Sequence, residues 1–428
     1  MRDNRYMASQ VNPPRGMRDF LPAEKAQRER VLSVIRSVYS THGFDEIETP
    51  VMEESARLHS GLGGDNEKLS YGILKRGLTT DDLHAAKDAL ELADLGLRFD
   101  LTVPLARFYA TNQAALPSVF RAIQIGSVWR AERPQKGRYR QFIQCDIDII
   151  GEKGVLAEVE LITATVATLS SLGIDGCTIR INDRRLLTSM LTVFGFPPSE
   201  HASVLITIDK LDKLGHDGVI TELRDRAYPA GPIDALEAFF RRPQTMEFNP
   251  FGERAIRKAL PEGADETAIA ALVALAEALG DVSSLVFDPF LVRGMGYYTG
   301  TIFEVTHPSL GYSLAGGGRY DGMIGRFLGG DVPAVGFSVG FERIVDLVSL
   351  EGSATDDAVA LLHDDDVPAS VLVALKTGLI AQGSRVRLER KPRNLKPLFA
   401  QLAASGFQRV ATVTADSTLE SLEFRDLG

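Results

Sequence analysis

A mixed α/β (α+β) protein of more than one domain is the expectation from this 428-residue chain. Three observations carry it. Strand-like stretches with period-two alternation gather between Val119 and Gly151 and again between Ser284 and Val339. Between them, over about 190–280, the sequence turns helix-rich and holds few chemically committed residues. The last part alternates strand and helix like a small α/β domain with a mostly parallel sheet. A chain of this length can hold two or three domains, each burying its own core. The expected organisation is a disordered leader over 1–12 and a core over 13–345 that is interrupted by a helical insertion over 190–280. A linker over 346–357 and a C-terminal domain over 358–428 follow.

In order along the chain, Pro13-Pro14-Arg15-Gly16 makes a turn-rich entry. A helix follows, with Val31, Leu32, Val34, Ile35, Val38 and Tyr39 at helical spacing and Gly43 as its stop. Phe44–Pro50 alternates like a strand, and Pro50 confines it to an edge or an end. Val119–Arg130 and Tyr139–Gly151 read as two strands joined by the charged loop ERPQKGR. In the second, Phe142, Cys145, Ile147 and Ile149 are set against Gln144, Asp146 and Asp148, so one face carries polar groups aimed at something. Residues 155–170 read as an amphipathic helix. Strands resume at Ser284–Leu291, Gly300–Val305 and Ala334–Val339, and a helix starts near Phe341. In the last domain strands at Ala358–Leu362, Arg385–Leu388 and Arg409–Val413 alternate with helices at Pro368–Gln382 and Leu395–Ala404.

Hydrophobic residues make up 44% and charged residues 24%, the balance of a soluble globular protein. No apolar run reaches the length of a membrane span, and MRDNRYMASQ lacks the apolar core of a signal peptide, with Met7 an alternative start. Cys145 and Cys177 make neither a disulfide framework nor a thiolate cage, which points to the cytoplasm. The seven histidines show no metal-ligand spacing. A net charge of −10 argues against non-specific coating of nucleic acid but leaves room for local basic patches. Two such runs stand out, Arg130–Arg140 and Arg385–Lys396; a solvated charged face is the bland alternative for each.

Four stretches carry candidate chemistry. In Trp129–Phe142 an antiparallel pair has arginines at its base and in its loop, which suits a polyphosphate because guanidinium forks bind phosphate oxygens bidentately. An exposed basic hairpin is the alternative. In LVRGMGYYTG, 291–300, an arginine amid glycines in an otherwise apolar strand is costly to bury unless it meets an anion. Adjacent tyrosines on a strand point to opposite faces, so at most one of them need face a ligand. GGGRYDG, 316–322, offers close backbone approach but fits neither the dinucleotide fingerprint nor the phosphate-loop signature. In GFSVGFER, 336–343, a strand runs into a helix with Arg343 near its start, and helix N-terminus and guanidinium together favour an anion.

Together and in this order, these stretches resemble class II aminoacyl-tRNA synthetases. Gly43–Pro50 resembles motif 1, Arg130–Phe142 motif 2 and Gly336–Arg343 motif 3. RGMGYYTG and AGGGRYDG resemble the two peptides peculiar to histidyl-tRNA synthetases, and LRFDLTVPLAR at 97–107 is close to that family's wording. The resemblance spans nearly the whole chain. It implies an antiparallel-sheet catalytic core with a helical insert, followed by an anticodon-binding-like α/β domain. It also implies a cytoplasmic homodimer whose partners are L-histidine, ATP, accompanied by Mg2+, and tRNA(His). By the same resemblance Arg130 bridges the histidine carboxylate and the ATP α-phosphate. Arg293 sits at that phosphate, doing work that other class members give partly to a metal ion. Glu132 contacts the adenine side, and Arg138 and Arg343 the outer phosphates. Asp100, Thr102 and Gln144 hold the α-amino group, while Asp148 and Tyr298, with Tyr297 and Tyr320, read the imidazole.

The chemistry agrees. Activation brings two anions together, and arginines offset their repulsion and stabilise the charge growing on the transferring group. A buried carboxylate and tyrosine facing the ring nitrogens reject side chains without donors there. There are departures. Met295 and Gly296 stand where the family more often has Leu and Asp. Asp100 and Asp148 stand where many bacterial members have glutamate, longer by one methylene. His363-Asp364-Asp365-Asp366 is acidic for an RNA-facing loop. Two rivals share much of this pattern. One is the synthetase-like regulatory subunit of ATP phosphoribosyltransferase, against which the presence of Arg130, Arg293 and Arg343 counts. The other is a class II enzyme for another amino acid, such as proline or threonine, against which the paired glycine-rich peptides count.

Overall fold

The computed structural model describes all residues except 1–10, 61–63, 136, 243–249, 281–283, 295–296, 349–356 and 428. The leader through residue 10, most of the linker, and Met295 and Gly296 therefore lie outside the described residues. The chain forms two compact units, one of Leu32–Val348 with the chain up to Arg18, the other of Asp19–Val31 with the chain from 349 onward.

An eight-stranded sheet organises the larger unit. Its strands are β1 (Asp45–Glu46), β5 (Phe120–Trp129), β6 (Gln141–Ile150), β7 (Thr178–Asp183), β8 (Leu285–Phe287), β9 (Thr301–Thr306), β10 (Ala315–Arg319) and β11 (Ala334–Gly340). The numbers left open belong to a three-stranded sheet of β2 (Met52–Glu54), β3 (Tyr71–Leu74) and β4 (Ala93–Leu97). Across the large sheet the order is β1-β5-β6-β11-β10-β9-β7-β8. Every pairing is antiparallel except those at the two edges, β1 with β5 and β7 with β8. The Phe44–Pro50 stretch forms only the two-residue edge strand β1, as its proline dictates.

The alternation on β6 sorts its side chains as expected except at Phe142, which by strand parity shares the face of Gln144 rather than that of Cys145. Cys145, Ile147 and Ile149 are fully buried, on the face opposite Gln144, Asp146 and Asp148. Helix Leu156–Ser171 buries Leu161, Ile162 and Leu169. It also supplies Glu158, which Arg319 of β10 grips with two hydrogen bonds of 2.7 Å. The arginine of GGGRYDG is thus a buried structural clamp, its remaining donors on the carbonyls of Glu152 and Gly154 and on the Asp321 carboxylate. Between β7 and β8 the described chain is helical, from Arg184–Phe194 through Glu266–Leu279.

Two local expectations differ from the structure. The described residues of LVRGMGYYTG form no strand: Tyr297 N–H and Tyr298 N–H both donate to Gly294 O, at 2.9 and 3.2 Å. Gly294 turns the chain there with φ +55°, so the strand rule of opposite faces does not apply to the two tyrosines. The helix after β11 is a single turn, Phe341–Ile344, too short for its dipole to add to Arg343.

The second unit carries β12 (Ala358–His363), β13 (Arg385–Arg390), β14 (Arg409–Val413) and β15 (Phe424–Asp426) in the order β13-β12-β14-β15. The first three are parallel and the last antiparallel. Val359, Leu361, Leu375 and Leu379 pack on one side, and Ala360, Leu402 and Phe407 on the other. Among the described residues no helix is long and apolar enough to cross a membrane.

Candidate active site

Cross-strand register builds the site on the polar face of the large sheet. One transverse row runs Gln124, Asp146, Ser338, Gly316, Glu304 and Arg180, from β5 through β6, β11, β10 and β9 to β7. The row two residues along runs Ala122, Asp148, Gly336, Gly318, Ile302 and Asn182. Glycines interrupt both rows at the middle of the sheet, and the gaps are filled. A Cβ on Gly316 would lie 2.6 and 2.7 Å from the guanidinium nitrogens of Arg293. One on Gly318 would lie 3.0 Å from the Tyr298 ring, and one on Gly336 2.9 Å from the Asp148 carboxyl carbon. The glycine-rich peptides are therefore buried floor whose missing side chains admit an arginine, a tyrosine and a carboxylate.

Above this floor lies a cleft of about 580 Å3. Arg130, Arg138, Arg293 and Arg343 line it, as do Glu132, Asp100, Thr102 and Gln144. Tyr297 and Tyr298 both face it, two rings where a strand would have offered one. Asp148 and Tyr320 sit behind that wall. Tyr320 Oη donates to Asp148 Oδ1 at 2.6 Å, and its ring lies 6.0 Å from that of Tyr297. Tyr297 Oη donates to Asp100 Oδ2 at 3.4 Å, so the two tyrosines connect both carboxylates.

Each arginine is held differently. Arg130 donates through Nε to Phe99 O at 2.8 Å and through Nη2 to Gln144 Oε1 at 3.4 Å, with its guanidinium 5.1 Å from the Phe142 ring centre. Arg293 pairs with Glu304, and Arg343 donates to the carbonyl of Ser313 and lies over Tyr312. Arg138, at the tip of the β5–β6 hairpin, is half exposed and reaches Glu132 at 3.4 Å. Lys136 of the same tip lies outside the described residues.

The acidic groups are more deeply placed than the basic ones. Burial pushes the Asp100 carboxyl up to about 6, although the Val103 N–H and Arg130 oppose the shift. Burial also lifts Asp148 to about 7 against the hydrogen bond from Tyr320. Asp146 is pushed well up by burial and by Asp148 beside it, despite hydrogen bonds from Ser338 and Gln144. Burial raises the Tyr298 phenol to about 12. The cleft thus opposes a cationic rim to a floor of carboxylates that gain most from a bound cation. It suits a zwitterion whose ammonium goes down and whose carboxylate meets a polyphosphate among the arginines.

Several lining residues had no assigned role in the sequence. Asp146 was legible as part of the polar face of β6 but had no partner until register set it against Ser338. Glu304, Glu342 and Asp209 carry no local signal. Glu342 is buried, accepts from Ile143 N at 3.3 Å and pairs with Arg18, which stacks 3.7 Å over Tyr139. Among the described residues no group of three or more His, Cys, Asp or Glu is arranged to hold a metal. His59 and His201 hydrogen-bond the carbonyls of Ser55 and Phe196, and Cys145 is core.

Comparison with known proteins agrees with this geometry. The chain is 57% identical to histidine–tRNA ligase of Leifsonia xyli subsp. xyli, over 98% of this chain and 99% of that one. It is 39% identical to the histidine–tRNA ligase of Aeropyrum pernix, over 78% and 73%. The structure superposes on histidyl-tRNA synthetase from Nostoc sp. PCC 7120 with a TM-score of 0.75 and 26% identity, covering 98% of this chain and 95% of that one. It shares its fold, with a TM-score of 0.74 and 21% identity, with an ATP phosphoribosyltransferase regulatory subunit/histidyl-tRNA synthetase from Bacillus halodurans, covering 94% and 98%. The histidyl-tRNA synthetase family model matches residues 16–344, from the turn before the first helix to the end of the arginine-bearing turn after β11, and the chain belongs to that family.

Proposed function

We propose that this chain is a histidine–tRNA ligase, which joins L-histidine to ATP with release of pyrophosphate and passes the histidyl group to the 3′ end of tRNA(His). The observation that carries the reading is the convergence of Arg130, Arg293 and Arg343 on one cleft with buried Asp100 and Gln144 in its floor. In the first step a carboxylate oxygen of histidine attacks the α-phosphorus in line, the bond to the bridging oxygen breaks, and pyrophosphate leaves. Arg130 lies between the two anions, and Arg293 takes charge developing on the α-phosphate. Arg138 and Arg343 hold the outer phosphates and Glu132 the adenine side. Asp100, with Thr102 and Gln144, takes the ammonium. Tyr298 and Tyr297 face the ring nitrogens, and the Asp148–Tyr320 pair behind them completes the acceptor set that reads the imidazole. Mg2+ arrives with ATP, on its phosphates. In the second step a terminal ribose hydroxyl attacks the mixed anhydride and AMP leaves.

We also propose a cytoplasmic homodimer that uses the segment leading from edge strand β1 into β2, where Val51 and Met52 are exposed. The second unit contacts tRNA through the basic end of β13. The acidic loop there is partly offset within the unit, Asp365 by Arg390 at 2.7 Å and Asp364 by Lys391 at 3.6 Å. The regulatory-subunit reading is not favoured, since the arginine set is complete. ATP–pyrophosphate exchange across a panel of amino acids tests the reading. Exchange with histidine alone is expected; folded protein that exchanges with no amino acid would overturn it.

A further inference from the structure

On the far side of Arg293 from the histidine floor, the sheet row continues into a second cluster of charges. Glu304 of β9 pairs with Arg293 through one carboxylate oxygen and with Arg180 of β7, its cross-strand partner, at 3.4 Å through the other. Arg180 donates from Nε to Asp288 at 2.6 Å, just beyond β8. It also donates from Nη1 to Asp212 at 2.7 Å. Asp212 opens helix Leu211–Asp225 of the helical segment. Asp209, three residues earlier, lines the cleft itself. Glu304 and Arg180 are each about four-fifths buried, whereas Asp212 is largely exposed.

The functional roles above leave this cluster unused, and surface ion pairs of this length often contribute little. Its geometry makes it different. The guanidinium of Arg293 lies on bare backbone at Gly316, so no side chain beneath it fixes its lateral position. Glu304 is its ion-pair partner, and Glu304 is in turn shared with Arg180. A planar fork that meets three carboxylates at once has one orientation that satisfies them all. Any movement of the helical segment that shifts Asp212 redistributes those bonds and moves the charge that locates Arg293.

We propose that Glu304 and Arg180 are positioning residues for the activation step, and that through Asp212 the helical segment sets where Arg293 stands. This deepens the proposed ligase reading and rests on it. Glu304 borders the cleft, but its two carboxylate oxygens are taken by Arg293 and Arg180; it keeps the guanidinium over Gly316, so that the phosphate meets a fixed cation. A 1 Å misplacement of such a group can cost on the order of 100-fold in rate. The cost falls on turnover rather than histidine affinity, because the ammonium and imidazole partners lie on the other side of Arg293.

The test compares wild type, Glu304→Gln, Arg180→Lys and Asp212→Asn in histidine-dependent ATP–pyrophosphate exchange, with histidine affinity measured separately by calorimetry. Glu304→Gln is expected to lower kcat by tenfold or more while histidine Kd stays within twofold. Arg180→Lys, which keeps the charge but cannot bridge three carboxylates, is expected to follow it. Asp212→Asn, on an exposed position that does not threaten folding, is expected to lower kcat about threefold with Kd unchanged. Exchange in wild type with unaltered kcat in all three variants would overturn the proposal while leaving the ligase reading standing. A loss in Glu304→Gln matched by an equal loss of histidine affinity and of Tm would also overturn it, since that is the mark of a general structural role. Absence of exchange in wild type would sink the ligase reading instead.

Discussion

Replacing Gly316 by alanine tests the reading of the glycine-rich floor directly. The new methyl carbon would stand 2.6 and 2.7 Å from two guanidinium nitrogens of Arg293, where ordinary contact begins at 3.4 Å. The guanidinium carbon would lie closer still, so the group must recede by about 1 Å. Gly316 has no positive φ, so alanine strains no backbone there, and the clash is with the end of a flexible side chain. The loss of chain entropy in the unfolded state offsets part of any packing cost, by about 0.4–1 kcal/mol. Stability is thus expected to change little. Catalysis is expected to fall between tenfold and a hundredfold, about 1.4–2.7 kcal/mol in the activation barrier, because the misplaced group meets the phosphate only in the transition state. Gly317→Ala is the control. Its methyl would meet the backbone of β11, 2.8 Å from the Phe337 Cα, and no side chain can yield, so it should destabilise by about 3 kcal/mol. Single-turnover adenylate formation beside urea denaturation separates the two. Wild-type activation in Gly316→Ala, or unfolding as severe as in Gly317→Ala, would refute the argument.

Other expectations follow from the same geometry. Asp100→Asn removes the buried partner of the substrate ammonium and should raise the histidine KM by about 100-fold or more with ATP KM little changed; equal losses for both substrates would contradict that role. Asp100 and Asp148 have folded values of about 6 and 7, above the ordinary carboxylate range, so their contribution to stability is full below about pH 4 and is lost as pH rises through 6 to 7. The wild-type excess loss of urea stability between pH 4 and pH 8, relative to Asp100→Asn/Asp148→Asn, measures it, and parallel curves would disprove it. Arg319→Met leaves Glu158 buried without its clamp and should cost about 3–5 kcal/mol by urea denaturation; a loss under 1 kcal/mol would mean Glu158 finds another partner or a proton.

What the sequence made legible was whatever depends on local periodicity. The alternation of Gln144, Asp146 and Asp148 against Cys145, Ile147 and Ile149 survives intact in β6, because a half-polar strand has only one way to bury its apolar face. The β5–β6 hairpin, the helix at 156–171 and the strand–helix alternation after 358 were legible for the same reason. The tyrosine pair departs from strand alternation because a turn at Gly294 breaks the period. Partners set by register stayed hidden. Nothing near Ser338 announces Asp146, nothing near Arg293 announces Arg180, and Arg18 meets Glu342 across 324 residues of chain. The glycines of β10 announced close approach but not to what, because what they accommodate arrives from elsewhere in sequence.

The site's electrostatics explain why its floor is built at a cost to the free protein. Three buried carboxylates converge there, Asp146 and Asp148 from β6 and Asp100 from just before helix Thr102–Asn112, and burial lifts each of them toward its neutral form. Apolar residues there would pack more stably, but an apolar pocket discriminates poorly between side chains of similar size. A carboxylate held near its protonation threshold responds to charge. It gains most when an ammonium or a ring N–H arrives, and a ligand lacking that group leaves it buried without compensation. The arginines above face the converse condition. Arg130 is tied to a backbone carbonyl and a glutamine, Arg343 to a carbonyl, and Arg293 to Glu304, so their charge is fixed in place before any phosphate enters. A zwitterion brings its cation to one set and its anion to the other, and only a molecule that does both relieves the floor while presenting its carboxylate where the arginines are already aimed.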